Sequence, residues 1–281
     1  MNSLTSNYIE VGGYKIRYKD EGQGDSVLLM LHGFALSCDI WMHNIVPLSE
    51  KYRVVALDIL GFGESDIPDN SVSMEWLPEF ISLFMEKLKI KSATFVGHSM
   101  GGLISIWVSQ IYPHLVEKLI LVGSAGFKMK IHFHFPLLVL PIVGEALLKT
   151  NKEKLRWSLQ KNTFHPKVIT DELVDSLFLA KQKPRRREYY LKACRHAIGF
   201  YGLKYQIIHQ VQQEVKKLKI PVLLIWGRQD KVIEVGHAHV AQKLIPHAKL
   251  LIIEECGHFA QLEKPKEFNS AVLSFLNTKL D

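Results

Sequence analysis

Cysteine is scarce in this chain, with only Cys38, Cys194 and Cys256 among 281 residues. Their number is odd and their spacing is wide, which excludes a disulfide framework and a zinc motif. We therefore expect a reducing compartment and predict a cytoplasmic protein. His-x-His pairs begin at His132 and His237, but neither lies near a cysteine or acidic pair at ligand spacing. We predict no metal site and, because no nucleotide-binding motif is convincing, no cofactor.

Long apolar runs are also missing. The longest extends from Phe133 to Leu148, is interrupted by Pro136, Pro141 and Glu145, and is shorter than the ~20 residues that a spanning helix needs. The first residues, Met1–Gly13, contain no apolar stretch of the kind found in signal peptides. We predict neither a transmembrane segment nor a signal peptide.

Basic residues exceed acidic ones, giving a net charge of +7, but most of them are dispersed. Two clusters stand out, Lys181–Arg187 and Lys216–Lys219, and neither has interleaved aromatic residues for stacking on bases. We interpret both clusters as solvated faces and predict no nucleic-acid partner. The alternative for Lys181–Arg187 is that these residues reach the entrance of a pocket and attract anions. The sequence leaves the oligomeric state open.

Apolar residues make up 47% of the chain, and they occur in short runs that alternate with longer helical patterns. From Val27 onward this alternation predicts parallel strands joined by helices. The paired glycines Gly12-Gly13 predict a hairpin before them. The predicted strands are Tyr8–Val11, Lys15–Lys19, Val27–Leu31, Arg53–Leu57, Ala93–Gly97, Leu119–Val122, Val222–Trp226 and Lys249–Ile253. The predicted helices around them are Ile40–Ser49, Met74–Leu88, Met100–Gln110, Val235–Leu244 and Lys266–Asn277.

The alternation stops between two predicted strands, where residues 124–219 are mainly helical in pattern. We predict an α/β core of residues 1–123 and 220–281, with residues 124–219 as a helical insertion. The apolar start of the insertion, Phe133–Leu148, either packs against the core or forms an apolar roof over a pocket; the residues leave both alternatives open.

The pentapeptide Gly97-His98-Ser99-Met100-Gly101 follows a predicted strand and precedes a predicted helix. In that context a Gly-x-Ser-x-Gly sequence predicts a strained turn that exposes the serine as a nucleophile. The backbone N–H of Met100 would then lie at a helix N-terminus, where it can donate to an oxyanion.

Three further residues complete an acyl-transfer site. Phe34, in His32-Gly33-Phe34 after a strand, offers the second oxyanion N–H. Asp230 and His258 each follow a later strand, in the chain order nucleophile, acid, base that suits this arrangement. Glu234, Glu254 and Glu255 remain weaker candidates for the acid.

Together these motifs resemble the α/β-hydrolase superfamily, specifically the capped serine hydrolases related to epoxide hydrolases and haloalkane dehalogenases. The resemblance implies a mostly parallel eight-stranded sheet with helices on both faces, and a helical cap formed by the insertion between the sixth and seventh strands. It also implies that Asp58 is structural and binds backbone donors. We predict that His32, Gly33, His98 and Phe259 line the substrate pocket. The residues that carry the resemblance are His32-Gly33-Phe34, Asp58-x-x-Gly61-Phe62-Gly63-x-Ser65, Gly97-His98-Ser99-Met100-Gly101-Gly102, Gly227-x-x-Asp230 and Gly257-His258-Phe259-x-Gln261-Leu262-Glu263-x-Pro265.

Departures from these relatives indicate the chemistry. Epoxide hydrolases and dehalogenases carry aspartate where this chain has Ser99. The carbon–carbon bond hydrolases of meta-cleavage pathways resemble the chain at Gly257–Glu263, but usually have a glycine-rich stretch in place of Ala35-Leu36-Ser37 and tryptophan in place of Phe259. We predict a serine hydrolase that cleaves a carboxylic ester of a small, largely apolar molecule through an acyl-enzyme. A carbon–carbon bond hydrolase and a small-molecule receptor on the same fold are the alternatives.

Overall fold

The computed structural model describes residues 5–69, 74–132 and 134–277. Within these ranges eight strands form one sheet in the order β1-β2-β4-β3-β5-β6-β9-β10. In this sheet β3, β4, β5, β6, β9 and β10 pair in parallel with one another, whereas β2 pairs antiparallel with β4 and with β1, its partner in the edge hairpin. The eight strands predicted from the sequence are confirmed. They are β1 Asn7–Val11, β2 Tyr14–Glu21, β3 Val27–Leu31, β4 Arg53–Leu57, β5 Ala93–His98, β6 Val116–Val122, β9 Val222–Gly227 and β10 Lys249–Ile253.

The central strands are apolar along their whole length because both faces of the sheet are covered. Successive side chains of a strand point to opposite faces, so Leu28 and Leu29 of β3 belong to different apolar clusters. Phe95 and Val96 of β5 divide in the same way. This packing confirms the α/β fold with helices on both faces of the sheet.

The helices that pack around the sheet mostly follow the sequence patterns. Those of the core are α1 Ile45–Ser49, α2 Leu77–Lys87, α3 Met100–Ile111, α10 Gly236–Leu244, α11 Ala260–Glu263 and α12 Pro265–Leu276. Those between β6 and β9 are α4 His134–Leu138, α5 Val143–Leu148, α6 Lys152–Lys161, α7 Asp171–Lys181, α8 Arg186–Ala197 and α9 Tyr205–Val215. No helix among the described residues is both long enough and apolar enough to cross a bilayer.

One predicted helix is wrong in extent. Residues 40–49 do not form a continuous helix; a 3₁₀ turn, Cys38–Trp41, precedes the separate helix α1. Pro47 has no N–H to donate to the preceding turn, so it is tolerated in the first turn of α1 and not in the middle of a longer helix. Asn44 holds the break, because its side-chain amide donates to Gln261 O and Asn269 Oδ1 across the core.

The segment of residues 124–219, called the cap below, leaves the sheet after β6 and returns at β9. Besides its helices it contains a small hairpin, β7 Ile198–Gly199 and β8 Gly202–Leu203, which the sequence patterns did not predict because its strands have only two residues each. The position of the segment agrees with the predicted insertion, whereas its treatment as a separate unit with boundaries at 124 and 219 stays a prediction.

The cap docks on the core through helix α8. Arg186, Tyr189 and Tyr190 lie three and four residues apart and so share one helix face. That face meets the core turn formed by residues 58–65: Arg186 is fully buried and donates from Nη2 to Gly63 O and Ser65 O, at 3.0 and 2.9 Å. The interpretation of the basic cluster 181–187 as a solvated face is therefore wrong at Arg186.

The turn itself is held by Asp58. Its buried carboxylate accepts the backbone N–H groups of Cys38 and Glu64 at 2.6 and 2.7 Å, which confirms the structural role predicted for it. Gly61 adopts a φ of +88°, and a Cβ added there would lie 1.9 Å from the ring of Tyr189. Glycine is needed at this position for both the turn and the contact with the cap.

We expect Gly61→Ala to lower the free energy of unfolding by about 2–5 kcal/mol, the sum of left-handed strain and overpacking against Tyr189. Gly13→Ala is the matched control, because Gly13 has a φ of +82° with no atom within 4 Å of an added Cβ. It should cost only the strain, about 1–2 kcal/mol. Urea unfolding measures both variants. Equal losses would show that Tyr189 does not constrain the turn.

Candidate active site

Ser99 lies at the sharp turn between β5 and α3. Its φ of 56° and ψ of −115° are unfavourable for a residue with a Cβ and cost on the order of 1–3 kcal/mol. The turn can close only because Gly101 has no side chain, since a Cβ there would lie 2.2 Å from Leu31 O. The backbone N–H of Ser99 donates to Val122 O at 2.9 Å, which fixes the turn on the neighbouring strand. The local structure is the strained serine turn that the pentapeptide predicts.

His258 and Asp230 meet beside this turn. His258 Nδ1 lies 2.8 Å from Asp230 Oδ2, and both side chains are almost fully buried. The other carboxylate oxygen, Oδ1, accepts the backbone N–H groups of Val232 and Ile233 at 2.8 and 2.9 Å. A carboxylate held in this way fixes the imidazole with Nδ1 protonated and leaves Nε2 to exchange a proton with a hydroxyl.

The three rival acids have partners elsewhere. Glu234 pairs with Lys130 at 3.0 Å, and Glu254 with Arg228 at 2.9 Å. Glu255 lies 3.5 Å from Lys264 Nζ. All three carboxylates are largely exposed, so the geometry favours Asp230 as the residue that orients the base.

Glu263 fixes the loop that carries His258. Its Oε1 accepts the N–H groups of Gly257 and Phe259, at 2.9 and 3.3 Å, on either side of the histidine. Its Oε2 accepts the N–H groups of Phe164 and His165 in the cap, at 2.6 and 3.1 Å. One buried carboxylate therefore joins the His258 loop to the cap, a role that sequence reasoning missed although Glu263 belongs to the motif Gly257–Pro265.

The loop that carries Phe34 passes directly beside Ser99, since a Cβ on Gly33 would lie 3.1 Å from Ser99 Cβ. Leu36 N–H donates to Gly33 O at 3.3 Å, and Ala35 has a φ of 57°. This is a β-turn with a left-handed third residue, a position that normally favours glycine. Phe34 in this turn and Met100, the first residue of α3, therefore both lie close to the serine, and the binding of an oxyanion by their N–H groups stays a prediction.

Two of the predicted pocket residues lie beneath the site instead of in it. His32 Nε2 accepts the N–H of Ile59 at 3.0 Å, and His98 Nε2 donates to His258 O at 2.9 Å. Burial lowers the pKa of His32 and holds the pKa of His98 well below its usual value. Both imidazole rings are therefore uncharged and support the backbone through these hydrogen bonds. Among the described residues that line the two cavities at Ser99, neither histidine appears, nor does Gly33, whereas Phe259 does.

Those cavities meet at Ser99 and Phe34 and differ in chemistry. The smaller, with a volume of about 70 Å³, has side chains that are apolar apart from Ser99, among them Met74, Leu103, Trp107 and Ile198. The larger, of about 540 Å³, lies within the range of pockets that hold small molecules. Its lining includes His258, Phe259, Trp157 and three lysines, Lys149, Lys154 and Lys181, and no aspartate or glutamate among the described residues.

Lys181 is the most enclosed of these lysines. It ends helix α7, and its Nζ lies 5.4 Å from the centre of the Tyr190 ring. Burial lowers its pKa to about 8, and no carboxylate in the described part of the chain counters that effect. The sequence held a signal for this position, because Lys181 lies four residues after Leu177 and seven after Val174, both on the buried face of α7. The solvated-face interpretation of the cluster is wrong here too.

The predicted apolar roof is formed in part. Phe135, Leu138, Leu147 and Leu148 line the larger cavity, whereas Ile142 is 82% exposed. Phe133 lies outside the described residues. The segment is thus partly roof and partly surface, and the basic side chains make the larger cavity less apolar than the sequence predicted.

The family model of the alpha/beta hydrolase fold matches residues 26–265. The chain belongs to this family. It is 29% identical, over 100% of its own length and 93% of the relative's, to a 2-hydroxy-6-oxo-6-(2'-aminophenyl)hexa-2,4-dienoic acid hydrolase of Metapseudomonas resinovorans. It is 27% identical, over 96% and 94%, to a 2-hydroxy-6-oxo-6-phenylhexa-2,4-dienoate hydrolase of Comamonas testosteroni.

Among solved structures, a meta-cleavage product hydrolase from Pseudomonas fluorescens superimposes with a TM-score of 0.80 at 26% identity, covering 96% of this chain and 97% of that one. A serine hydrolase involved in carbazole degradation gives a TM-score of 0.80 at 28% identity, with 98% and 99% coverage. These matches confirm the resemblance to serine hydrolases of the α/β-hydrolase superfamily and support a hydrolase.

We expect Ser99→Gly to abolish turnover and yet to raise the free energy of unfolding by about 1 kcal/mol, because glycine relieves the strain of the turn. Ser158→Gly is the control, since Ser158 is an exposed residue within helix α6 and should lose about 0.5–1 kcal/mol. Thermal unfolding of both variants and of Ser99→Ala decides. A less stable Ser99→Gly protein would contradict the strain, and turnover retained by Ser99→Ala would exclude Ser99 as nucleophile.

Proposed function

We propose that this protein hydrolyses a carbon–carbon bond next to a ketone, in a small substrate that carries a carboxylate, with Ser99 as nucleophile, His258 as base and Asp230 as its orienting acid. The single observation that carries the proposal is the position of Ser99, which lines both a small apolar cavity and a larger one that has three lysines and no acidic side chain among its described lining residues. A substrate that spans both needs an apolar group on one side of the reacting carbon and an anionic chain on the other.

The substrates named for the relatives have this form. A 2-hydroxy-6-oxohexa-2,4-dienoate carries a carboxylate at one end, a ketone at carbon 6 and a substituent on that ketone. With the ketone at Ser99, the substituent would occupy the small cavity and the dienoate would extend into the large one. Its carboxylate would pair with Lys181, whose charge lacks a carboxylate partner among the described residues.

The reaction begins with a proton shift in the substrate, from the hydroxyl on carbon 2 to carbon 5, which makes carbon 5 tetrahedral. Ser99 Oγ then attacks the ketone carbon while His258 Nε2 takes its proton, and the N–H groups of Phe34 and Met100 hold the oxyanion. When the bond between carbons 5 and 6 breaks, its electron pair moves through the conjugated chain to the oxygen on carbon 2. The imidazolium protonates that oxygen, releasing a 2-hydroxypenta-2,4-dienoate.

Water then hydrolyses the remaining acyl-enzyme, with His258 as base again, and releases the carboxylic acid formed from carbon 6. The missing glycines at Ala35-Leu36-Ser37 do not argue against this chemistry, because Ala35 makes the left-handed turn without one. Phe259 preserves an aromatic wall in the large cavity where the carbon–carbon bond hydrolases usually have tryptophan.

Ester hydrolysis through the same acyl-enzyme is the second candidate. The small cavity is equally compatible with it, since a short apolar acyl group fits there whichever leaving group departs. A panel of 2-hydroxy-6-oxo-dienoates with methyl, isopropyl and phenyl at carbon 6, run beside aryl esters of acetate and butyrate, separates the two. We expect turnover of the dienoates. The kcat/KM values for the methyl and isopropyl compounds should be at least about tenfold higher than the value for the phenyl compound.

The size preference follows from the small cavity of about 70 Å³, less than half of the roughly 150 Å³ that admits benzene in an apolar protein cavity.

Fast turnover of esters with no cleavage of any dienoate would overturn the proposed function in favour of an esterase. A stoichiometric burst without turnover would favour a receptor.

We expect Lys181→Met to raise KM for a dienoate by about tenfold or more, because one charge-assisted contact to the carboxylate is lost. Lys181 is protonated below its pKa of about 8. In the wild type, kcat/KM for the dienoate should therefore fall as pH rises through about 8, while that for a neutral aryl ester should not.

Lys181→Arg is the matched control, since a guanidinium stays charged throughout this range. It should remove the fall above pH 8 and retain the preference for carboxylated substrates. A fall that persists in the arginine variant, or that affects the neutral ester equally, would show that another group is responsible.

A further inference from the structure

The ring of Phe34 packs in a cluster of aromatic side chains contributed by both the core and the cap. Its centroid lies 5.7 Å from that of Phe62 in the core, and 6.1 and 5.3 Å from those of Phe135 and Tyr190 in the cap. Tyr190 is itself 2% exposed and stacks on Phe62 at 5.2 Å with an angle of 21°. A residue whose N–H serves the oxyanion is thus held by its side chain against helix α8.

Helix α8 is firmly placed on the core. Arg186 bonds the turn 58–65 through two carbonyl groups, and Tyr189 covers Gly61. The same turn holds both ends of the Phe34 loop, because Asp58 accepts the N–H of Cys38, and the N–H of Ile59 donates to the histidine before Gly33. The cap helix and the oxyanion loop therefore share one support.

The Phe34 loop needs such support. Ala35 is held at a φ of 57°, a conformation that costs an alanine about 1–2 kcal/mol and persists only where the surroundings impose it. The aromatic packing of the neighbouring Phe34 ring acts with the hydrogen bonds from the turn 58–65 to impose it, since the ring contacts three other aromatic rings.

We propose that Tyr190 is a positioning residue, through which the seated cap orients the Phe34 N–H toward the oxyanion. The inference rests on the oxyanion role given to Phe34 in the proposed function. It makes the cap a part of the catalytic apparatus as well as the boundary of the pocket, because loss of the Tyr190 ring would let the strained turn at Ala35 relax and carry the N–H away.

Tyr190→Ala tests this with an aryl acetate, a neutral substrate that does not depend on Lys181. We expect kcat to fall about 10–100-fold, somewhat less than the loss from deleting an oxyanion donor, with KM changed less than about threefold. The dissociation constant of an alkyl boronic acid, which forms a tetrahedral anion on the serine, should rise by the same factor as kcat falls. Binding of acetate, the product, should change little.

Three further variants make the test specific. Tyr190→Phe should retain kcat within about twofold, because the packing of the ring and not the hydroxyl is required. Tyr201→Ala removes an exposed tyrosine of the cap hairpin and should have no effect. In the Tyr190→Ala background, Ala35→Gly should recover part of the lost kcat, because glycine adopts the left-handed turn without being forced. If Tyr190→Ala does not fold, Tyr190→Leu takes its place.

A rise in KM with unchanged kcat, or equal weakening of boronate and acetate, would overturn the proposal and leave Tyr190 as a pocket or folding residue. Failure of Ala35→Gly to recover any activity would also contradict it. Ester turnover that survives Ser99→Ala would instead overturn the proposed function itself, so the two failures are distinguishable.

Discussion

The buried carboxylate of Asp58 is the contact on which the arrangement of the site depends. It lies at the end of β4 with no exposed surface and binds three separate parts of the chain: Cys38 after the oxyanion loop, Glu64 in the cap-bearing turn, and Arg17 Nη1 at 3.4 Å on β2. Such a charge is tolerated because each oxygen has donors and a cation lies beside it. Without it, loop and turn would lose their common anchor.

Arg17 extends this arrangement to the cap. It bonds Asp39 through both terminal nitrogens at 2.9 Å, and Lys19 Nζ lies 2.6 Å from the same carboxylate. Burial acts to raise the pKa of Asp39, but the two cations outweigh burial and hold that pKa well below its usual range. Ser176 of α7 donates to Asp39 Oδ2 at 2.5 Å. Two buried carboxylates thus connect the edge of the sheet, the oxyanion loop and two cap helices.

Local patterns were sufficient for much of this structure. The strands were predictable because apolar residues in parallel strands form short continuous runs. The serine turn was predictable because its Gly-x-Ser-x-Gly pattern lies within five consecutive residues. The break before α1 was not predicted, although Pro47 was a local signal for it. Asp230 and His258 could be placed at strand ends, but only the structure separates Asp230 from its rivals, because that choice depends on which carboxylate reaches the imidazole.

What the sequence could not reveal are contacts between distant segments. The burial of Arg186, the enclosure of Lys181 and the aromatic packing on Phe34 each depend on where α7 and α8 come to rest on the core. From the sequence alone, a cluster of basic residues is interpreted as exposed to solvent, because the surface against which it packs is not known. For the same reason His32 and His98 were expected in the pocket: sequence proximity to reacting residues does not determine on which side of the loop a ring lies.

The hydrogen bonds between the His258–Glu263 segment and the cap have a consequence for attempts to replace the cap of this enzyme. His258 N–H donates to Asn162 O at 2.9 Å, and Glu263 receives cap N–H groups at residues 164 and 165. A foreign cap whose backbone takes a different path at residues 162–165 would therefore remove a backbone acceptor from the histidine and leave a buried carboxylate with unused lone pairs, at a cost of about 1–3 kcal/mol for each group left unpaired. A workable graft must therefore keep residues 162–165 of the recipient protein. The junction between recipient and foreign cap then lies inside the cap and not at the end of the sheet.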